Sequence, residues 1–281
     1  MQNIIDGRSI ADKILKEYKK EFEKLAKKGI FAQAEVFIIG DNPASLSYIK
    51  QMQKAFEQAS AKLLIKSVPL NVKTSEFVNL IKESNKNSKI HGYMIQLPLP
   101  NHFDKKKIVD AIDPRKDLDC FSPDNLGRLI LGPEFEFLAP STAKGVIKLL
   151  EELNIEVQGK NITVVGHSNI VGKPLTLMLI ARNATVTNCH VYTKNLSEYT
   201  LKSDIIISAT GVPHLIKENM VKKGVIAIDI GYAKKNGKVY GDFEFEKIQK
   251  RAKLITPPIG GCGPMTVAAL LENLMIAAKN L

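Results

Sequence analysis

Short apolar runs that end in glycine or proline alternate along this chain with stretches of helical periodicity, and this alternation limits the possible folds most strongly. The first run is Ala34–Gly40, and LLIKSVPL and HGYMIQLPLP follow it. Helices are predicted over Ile10–Lys28, up to about Ala61 and over Thr74–Glu83. A β-α-β-α-β order of this kind is typical of a parallel sheet with covering helices.

A second series of strands follows a predicted helix over Thr142–Leu153. Its five strands are Asn161–Gly166, Thr185–Val191, Asp204–Ala209, Val225–Gly231 and Lys253–Pro257. Helices between several of these strands predict a doubly wound unit, in which ligands bind at the carboxyl ends of the strands.

The regularity weakens over Phe103–Pro140, where the segment DPRKDLDCFSPDNLGRLILGP is rich in Asp, Pro, Asn and Gly and is predicted to be mostly loop. We therefore expect an α/β protein of two domains, residues 1–140 and 141–264, the second one Rossmann-like. An amphipathic last helix, over residues 265–281, is expected to pack back on the first domain.

Composition excludes several classes of protein. A length of 281 residues with 44% hydrophobic and 25% charged residues excludes wholesale disorder. No apolar stretch approaches the ~20 residues that span a bilayer, and the first residues lack a signal sequence, which predicts a cytoplasmic protein. The cysteines, Cys120, Cys189 and Cys262, form no C-x-x-C pair, so they predict free thiols, with neither a disulfide framework nor a metal site.

The net charge of +11 has two interpretations, a lysine-rich surface or a field that attracts an anionic substrate. Only five of the 40 basic residues are arginine, the residue that favours bidentate phosphate and base contacts. No basic stripe with interleaved aromatic residues is present, so nucleic acid is not an expected partner.

The segment VVGHSNIVGKP joins a predicted strand to a predicted helix, with Gly166 ending the strand and Gly172 in the first helical turn. Backbone N–H groups at such a helix start favour a phosphate, although an ordinary turn is equally consistent with G-x-S-x-x-x-G. No acid follows in Thr185–Asn195 to bind a ribose 2′-hydroxyl. The nearby basic residues, His167, Lys173, His190 and Lys194, favour NADP over NAD, unless they are simply solvated charges.

Two further groups of residues could bind a ligand. Three segments lie at the ends of predicted strands: Ala209–Pro213, Asp229–Tyr232 and Thr256–Thr266, the last of which is dense in Gly and Pro. Each is consistent with a loop that contacts a ligand, and equally with an ordinary turn or interdomain linker. In the first domain, a tyrosine, an amide and two carboxylates could hold an aromatic heterocycle with amino and oxo groups. These residues are Tyr48, Gln96, Asp117 and Asp119, and each is also consistent with an ordinary structural role.

The motifs ASLSYIKQ, MIQLPLP, KDLDCFSPDNLG, PSTAKG, VVGHSNIVGKP and ITPPIGGCGPMT occur in this order across both predicted domains. Together they resemble the FolD family, the methylenetetrahydrofolate dehydrogenase/methenyltetrahydrofolate cyclohydrolases. The resemblance implies oxidation of 5,10-methylenetetrahydrofolate with NADP, or NAD in some members, and hydrolysis of the methenyl product to 10-formyltetrahydrofolate. It also implies a cytoplasmic homodimer of one-carbon metabolism, for which polyanionic folate polyglutamate tails would give the positive charge a use.

The resemblance also implies roles for individual residues. Tyr48 would stack on the pterin, Gln96 would contact the substrate near the reacting carbon, and Asp119 would hold the pterin amino and amide edge, as the catalytic set. The further substrate-binding residues would be Ile95, Leu97, Ile259, Gly260, Gly261 and Gly263. The cofactor-binding residues would be Gly166, His167, Ser168, Val191, Thr210, Gly211 and Tyr232.

This chain departs from the family pattern at one catalytic position. The family has a lysine four residues after the tyrosine, and here Met52 occupies that position. Lys50 and Lys54 lie two residues to either side, about 200° away around a helix, so neither replaces the lysine unless the helix shifts. The motif DLDCFSP also has Cys120 where the family has glycine.

Two other classes of function remain open at this point. One is a different NAD(P)-dependent dehydrogenase, such as an amino-acid dehydrogenase, and the other is a non-catalytic folate or nucleotide binder. QLPLP beside the Asp loop argues against the first, and the glycine-rich cofactor motifs argue against the second.

Overall fold

The computed structural model describes residues 3–281, apart from the side chains of residues 43, 44 and 47. The chain divides into two compact units, each with its own parallel sheet. The three-stranded unit contains Lys13–Arg128, Glu136–Ser141 and Val267–Leu281. The five-stranded unit contains residues 3–12, Leu129–Phe135 and Thr142–Thr266.

The three-stranded unit is built on β1 (Gln33–Ile39), β2 (Lys62–Val68) and β3 (Gly92–Ile95), which pair in the parallel order β2-β1-β3. The first half of the chain also contains α1 (Gly7–Lys27), α2 (Pro43–Gln58), α3 (Thr74–Lys86) and α4 (Lys105–Asp110). These strands and helices confirm the β-α-β-α-β pattern read from the sequence.

The central strand β1 is buried at five consecutive positions, as expected for a parallel strand covered on both faces. Phe37 packs edge-on against Phe77 of α3 and Tyr93 of β3, with ring centroids 5.4 and 5.8 Å apart. Helix α3 therefore packs on the sheet through aromatic contacts. Strand β3 ends at Ile95, so Gln96 lies at its carboxyl end.

The sequence analysis missed the helices within Phe103–Pro140, although loop still makes up the larger part of this stretch. Besides α4, the stretch contains α5 (Pro123–Leu131) and a short 3₁₀ turn over Pro133–Phe135. Ser122 caps α5 by accepting the Asn125 N–H at 3.4 Å, and Pro123 takes the first helical position, where a missing N–H is tolerated. Density of Pro and Asp was therefore read as loop where it marks a helix start.

The second half begins with α6 (Ser141–Glu152) and then alternates short strands and helices. The elements are β4 (Asn161–Val165), α7 (Gly172–Ile180), β5 (Thr185–Cys189), α8 (Leu196–Thr200), β6 (Ile205–Ser208), β7 (Ile226–Asp229), β8 (Ala233–Lys235), β9 (Lys238–Tyr240), α9 (Phe245–Ile248), β10 (Leu254–Ile255) and α10 (Cys262–Asn280). Five of the strands form one parallel sheet in the order β10-β7-β6-β4-β5, which confirms a doubly wound arrangement.

The hairpin of β8 and β9 was missed by the sequence analysis. Its turn, Asn236–Gly237, has φ values of 51° and 77°. Asn-Gly with two positive φ angles is the preferred two-residue hairpin turn, so the signal was present in the sequence.

The C-terminal helix α10 begins at Cys262, three residues earlier than predicted, and its Val267–Asn280 portion belongs to the three-stranded unit. Asn273 is fully buried there, and its Nδ2 donates to the carbonyls of Leu118 at 2.8 Å and Ala139 at 2.7 Å. One side chain thus satisfies two buried backbone acceptors and fixes the segments on either side of Asp119 and Ser141.

We predict that Asn273→Ala lowers the free energy of unfolding by about 1–3 kcal/mol, because the buried Ala139 carbonyl loses its side-chain donor and the Leu118 carbonyl keeps only the Ser141 hydroxyl. Asn280→Ala is the matched control, since this exposed side chain bonds only within its own helix turn, to the Ile276 carbonyl. The control should change stability by less than about 0.5 kcal/mol. Urea unfolding of the three proteins measures both values, and equal effects would contradict the assigned role of Asn273.

Candidate active site and dinucleotide site

A loop of acidic residues follows α4 in the three-stranded unit. The buried Asp117 carboxylate accepts the N–H groups of Phe121 at 3.1 Å and Ser122 at 2.7 Å, so it organises the loop. Burial raises the pKa of Asp117 to about 6 despite these bonds. Because the Asp117 carboxylate already accepts N–H groups of its own loop, Asp119 is the acid of this loop that is available to a ligand.

Asp119 is half-buried and hydrogen-bonds with Ser141, whose hydroxyl also donates to the Leu118 carbonyl at 3.0 Å. Burial raises the pKa of Asp119, and the bonds from Ser141 oppose that rise. A half-buried carboxylate can accept further hydrogen bonds, so Asp119 suits a ligand that presents N–H groups.

Tyr48 of α2 lies close enough to Asp119 for the two to interact electrostatically. Burial, reinforced by the negative charge of Asp119, raises the pKa of the Tyr48 phenol above its usual value. The phenol therefore stays neutral, and the side chains of Tyr48 and Asp119 lie near each other in the three-stranded unit.

Gln96 follows β3, one residue beyond the strand end at the buried Ile95. Its Nε2 donates to the carbonyl of Leu97 at 3.0 Å. Its Oε1 is buried and accepts no hydrogen bond from any group that the structure describes. An unpaired buried acceptor costs about 1–3 kcal/mol, which a ligand donor at this position would offset.

The helix α2 keeps a regular register around Met52. The side chain of Met52 is only 1% exposed and lies on the buried face with Ile49 and Phe56. Lys50 and Lys54 are exposed on the other side of the helix. A shift of the helix that would bring either lysine inward is therefore not observed.

The predicted phosphate turn follows β4 at the carboxyl edge of the five-stranded sheet. Gly166 leaves β4 with φ of 115°, and a Cβ there would press on the Ala209 carbonyl at the end of β6. A Cβ on Gly172 would overlap the Gly166 carbonyl. Both glycines are thus required by close backbone approach, at the point where strand order reverses and where doubly wound sheets bind ligands.

Ser168 caps helix α7. Its Oγ accepts the N–H groups of Val171 at 3.2 Å and Gly172 at 3.5 Å. The hydroxyl proton stays available as a donor toward an anion at this helix start. His167 lies beside it, with its ring 5.0 Å from the ring of His190.

A surface cavity of about 470 Å³ lies at the carboxyl end of β5, and its lining includes His190, Tyr192, Thr193 and Lys194. The turn is held by the His190 N–H, which donates to Thr193 Oγ1 at 2.9 Å. No acid is among the residues that line this cavity in the described chain. The setting suits a phosphate better than a hydroxyl that needs a carboxylate partner.

Every strand of the five-stranded sheet is followed at its carboxyl end by an exposed apolar side chain, and we call this set the apolar rim. Its members are 37% to 83% exposed. They are Ile170, Val191, Tyr192, Val212, Tyr232 and Ile259. Exposed apolar side chains gathered at one edge mark a site for flat, weakly polar ligands.

The loop Ile259–Gly263 follows β10 and precedes most of α10. Gly260 has φ of 81°, and its carbonyl accepts the Arg8 N–H at 3.0 Å. A Cβ on Gly261 would overlap the Pro257 carbonyl, and Gly263 has open space around it. The loop is thus a tight, ordered turn, which does not support the alternative of a plain linker.

The described residues contain neither a cluster of metal ligands nor a membrane-spanning helix. Within residues 3–281, no three His, Cys, Asp or Glu side chains cluster closely enough to hold a metal. None of the helices in the same residues combines the length and apolar character that crossing a bilayer requires.

Comparison with known proteins identifies the family. The tetrahydrofolate dehydrogenase/cyclohydrolase catalytic-domain model matches residues 5–119, and the NAD(P)-binding-domain model of the same enzymes matches residues 140–281. The bifunctional protein FolD of Methanococcoides burtonii is 44% identical over 277 residues, covering 98% of this chain and 96% of that protein. The chain belongs to the tetrahydrofolate dehydrogenase/cyclohydrolase family.

Solved structures of this family agree with the assignment. The Campylobacter jejuni bifunctional enzyme FolD is 43% identical with a TM-score of 0.95, over 98% of each chain. The Trypanosoma brucei enzyme, complexed with NADP cofactor and inhibitor, is 33% identical with a TM-score of 0.95, over 100% of this chain and 99% of that one. These findings confirm the predicted family, α/β fold class, enzyme class and NAD(P) cofactor class.

Some residues that organise the site were not found by sequence reasoning. Ser141 holds Asp119, Asn273 holds the adjoining carbonyls, and a buried pair, Asp229 and Asp242, lies below the loops of the five-stranded sheet. An asparagine inside the apolar stretch ALLENLMIAA was a usable signal for Asn273. The other three make contacts that local sequence patterns do not predict.

We predict that Asp119→Ala lowers kcat/KM for the folate substrate by roughly tenfold to a hundredfold, about 1.5–3 kcal/mol, because substrate donors lose a charged acceptor. Asp124→Ala, which removes an exposed acid from the same segment, is the control and should stay within twofold. Steady-state kinetics with the folate varied measures both. A change below threefold in a folded Asp119→Ala protein would show that Asp119 is only a loop residue.

Proposed function

We propose that this chain oxidises 5,10-methylenetetrahydrofolate to 5,10-methenyltetrahydrofolate with NADP⁺, and that its hydrolysis of the methenyl product to 10-formyltetrahydrofolate is weak. The carboxyl edge of the five-stranded sheet carries the first half of the proposal, because it combines a phosphate turn with the apolar rim. Met52 carries the second half.

The oxidation removes a hydride from the methylene carbon that bridges N5 and N10 of the folate. The lone pairs of these nitrogens stabilise the cation that develops, so no side chain has to take a proton. When bound, the nicotinamide ring supplies the chemistry by accepting the hydride and its electron pair. The protein's contribution is to hold the folate in position, which can lower such a barrier by several kcal/mol.

The residues of the three-stranded unit fit that task. The Asp119 carboxylate accepts hydrogen bonds from the amino and amide edge of the pterin, and the neutral Tyr48 ring packs on its face. The unpaired Gln96 Oε1 supplies an acceptor near the reacting carbon. The family resemblance also assigns the Ile259–Gly263 loop to folate binding.

The residues of the five-stranded unit fit a dinucleotide. Gly166, His167 and Ser168 offer a close backbone, an imidazole and a free hydroxyl proton to the phosphates. Thr210 and Gly211 follow β6 and, with Tyr232, complete the binding edge beside Val191. The apolar rim excludes water from the faces of the rings.

NADP⁺ is proposed over NAD⁺ because of the cavity beyond β5. His190 and Lys194 line it without a neighbouring acid, so a ribose 2′-phosphate gains favourable contacts there. We expect a higher kcat/KM with NADP⁺ than with NAD⁺. His190→Ala should lower the NADP⁺ value about tenfold and leave the NAD⁺ value within twofold, because only the 2′-phosphate loses a partner.

The check is an absorbance assay of the reduced nicotinamide, run with each cofactor in turn. His214→Ala, at a histidine that packs on Tyr240 elsewhere in the same unit, is the control and should change neither value. An equal or better kcat/KM with NAD⁺ in the unaltered protein would refute the cofactor proposal.

Hydrolysis of the methenyl cation makes a different demand. Water adds to the bridging carbon and its oxygen loses both protons: one is released, and the other is in effect transferred to N5 as the C–N5 bond breaks and the formyl C=O bond forms. A titratable amine suits such transfers, and general acid–base catalysis is typically worth ~10²–10⁴-fold. The thioether of Met52 accepts and releases no proton, and Lys50 and Lys54 are exposed.

We predict that methenyltetrahydrofolate accumulates during oxidation by the unaltered protein, and that Met52→Lys raises the enzymatic hydrolysis rate by about 10²-fold or more. The reason is that the substitution returns a titratable nitrogen to a partly dry position on the buried face of α2. The measurement follows the loss of methenyl absorbance after subtraction of the spontaneous rate.

Ile49→Lys is the control for this substitution, since it places a lysine at another buried position of the same helix and should not raise hydrolysis. Rapid hydrolysis by the unaltered protein that collapses in Lys50→Ala or Lys54→Ala, and ignores Met52→Lys, would refute the proposal for Met52.

The wider setting follows from the family. We place the chain in the cytoplasm as a homodimer of one-carbon metabolism that interconverts tetrahydrofolate derivatives for purine biosynthesis. Its net charge of +11 favours polyglutamylated folates, which are polyanionic. A non-catalytic folate binder is the alternative, and the absence of any NADP⁺- or NAD⁺-dependent methenyl formation would favour it.

A further inference from the structure

Asp242 is fully buried in the five-stranded unit, between β9 and α9, and it has no catalytic assignment. Its Oδ2 accepts the hydroxyl of Ser208 and the backbone N–H of Thr210, both at 2.7 Å. Ser208 is the last residue of β6, and Thr210 begins the loop that follows. One carboxylate oxygen therefore sets the direction in which the chain leaves this strand.

Asp229 makes the equivalent contacts at the end of the neighbouring strand β7. Its Oδ1 accepts the N–H groups of Gly231 at 2.9 Å and Asp242 at 3.0 Å, and its Oδ2 accepts that of Phe243 at 3.1 Å. Its own N–H donates to the hydroxyl of Thr256, which follows β10, at 2.6 Å. The two aspartates thus connect the ends of three adjacent strands, β10, β7 and β6.

The packing around the two carboxyl groups is reciprocal. A Cβ on Gly231 would overlap the Asp242 carboxyl, and a Cβ on Gly241 would overlap the Asp229 carboxyl. Glycine at these positions lets each acid lie against the backbone beside its partner. The loop at Gly211, where φ is 70°, in turn approaches the Tyr232 carbonyl, so the two loops form one surface.

This arrangement is costly for stability. Both carboxyl groups are almost completely buried, no cation pairs with either of them among the described residues, and Asp242 Oδ1 has no hydrogen-bond partner there. A buried unpaired acceptor and uncompensated carboxylates are unfavourable compared with an apolar contact of the same volume. Violations of packing rules of this kind cluster where a site has to be held in one geometry.

We propose that Asp242 is a positioning residue for the dinucleotide: it holds the Thr210–Gly211 loop, and through Asp229 the Ile230–Tyr232 loop, in the conformation that binds the cofactor. The inference rests on the proposed function, because these two loops bear three of the residues assigned to the cofactor. Asp242 itself is buried below them and touches no ligand.

Asp242→Ala leaves the Ser208 hydroxyl and the Thr210 N–H without their acceptor. We expect the dissociation constant for NADP⁺ to rise at least tenfold, about 1.4 kcal/mol, with KM for methylenetetrahydrofolate within twofold. Asp242→Asn should stay within threefold of the unaltered protein, because an amide oxygen can keep both accepted bonds and Oδ1 has no donor to lose.

Ser203→Ala is the matched control. Ser203 is equally buried and bonds to Thr163 Oγ1 at 2.6 Å, but it precedes β6 and so lies at the amino end of the sheet. Its loss should lower the melting temperature without changing the dissociation constant for NADP⁺. A purely structural role for Asp242 would give the same pattern as this control.

Calorimetric titration with NADP⁺, with melting temperatures recorded in parallel, tests the proposal. If Asp242→Ala does not fold, Ser208→Ala removes one of the two bonds and should raise the dissociation constant three- to tenfold. A change below threefold in either folded variant, or an equal rise in Ser203→Ala, would overturn the inference. If the unaltered protein binds neither NADP⁺ nor NAD⁺, the proposed function itself fails, and this inference with it.

Discussion

Parallel pairing in both sheets places the carboxyl ends of neighbouring strands at one edge, and the loops that leave there must pass within van der Waals distance of one another. Gly166 and Gly172 meet this condition in the five-stranded unit, because no side chain fits against the Ala209 and Gly166 carbonyls. Where the loops are that close, their backbone N–H groups need acceptors that come from elsewhere in the chain. Much of the site in each unit can be understood as a solution to this requirement.

Both units use the same solution, a buried aspartate that accepts backbone N–H groups. Asp117 does so for the loop that presents Asp119, and Asp229 does so for the loop that presents Tyr232. Burial raises the pKa of each acid, to about 6 and about 7, which shows that the surroundings compensate its charge only in part. The buried acids thus hold the loops in one conformation while lowering the stability of the folded chain. Most of the residues assigned to ligands lie in loops rather than in the strands.

The sequence predicted those parts of the structure that depend on residues close together along the chain. Apolar runs ending in glycine located the main strands, and a strand–turn–helix pattern located Gly166. It failed where turn residues begin regular structure, at Pro123 of α5 and Asn236–Gly237 of the hairpin. Contacts between distant residues, such as Asp242 with Ser208, leave no local pattern. Cys120 is a further example, because its φ of 55° lies in the left-handed region that favours glycine. This backbone conformation costs about 1 kcal/mol for a residue with a side chain, and the surrounding hydrogen bonds impose it.

The replacement at Met52 affects two consecutive reactions differently, the second of which consumes the product of the first. Hydride removal depends on orientation and on the lone pairs of the folate, so an apolar side chain at this position leaves its requirements intact. Water addition depends on a group that exchanges protons, and the described part of α2 presents its lysines to solvent instead. A lysine amine at this buried position would lose its hydration, and the apolar Met52 side chain avoids that cost. The Met52 side chain is therefore suited to packing the helix rather than to acid–base chemistry, and this is the physical basis of the proposal that hydrolysis is weak.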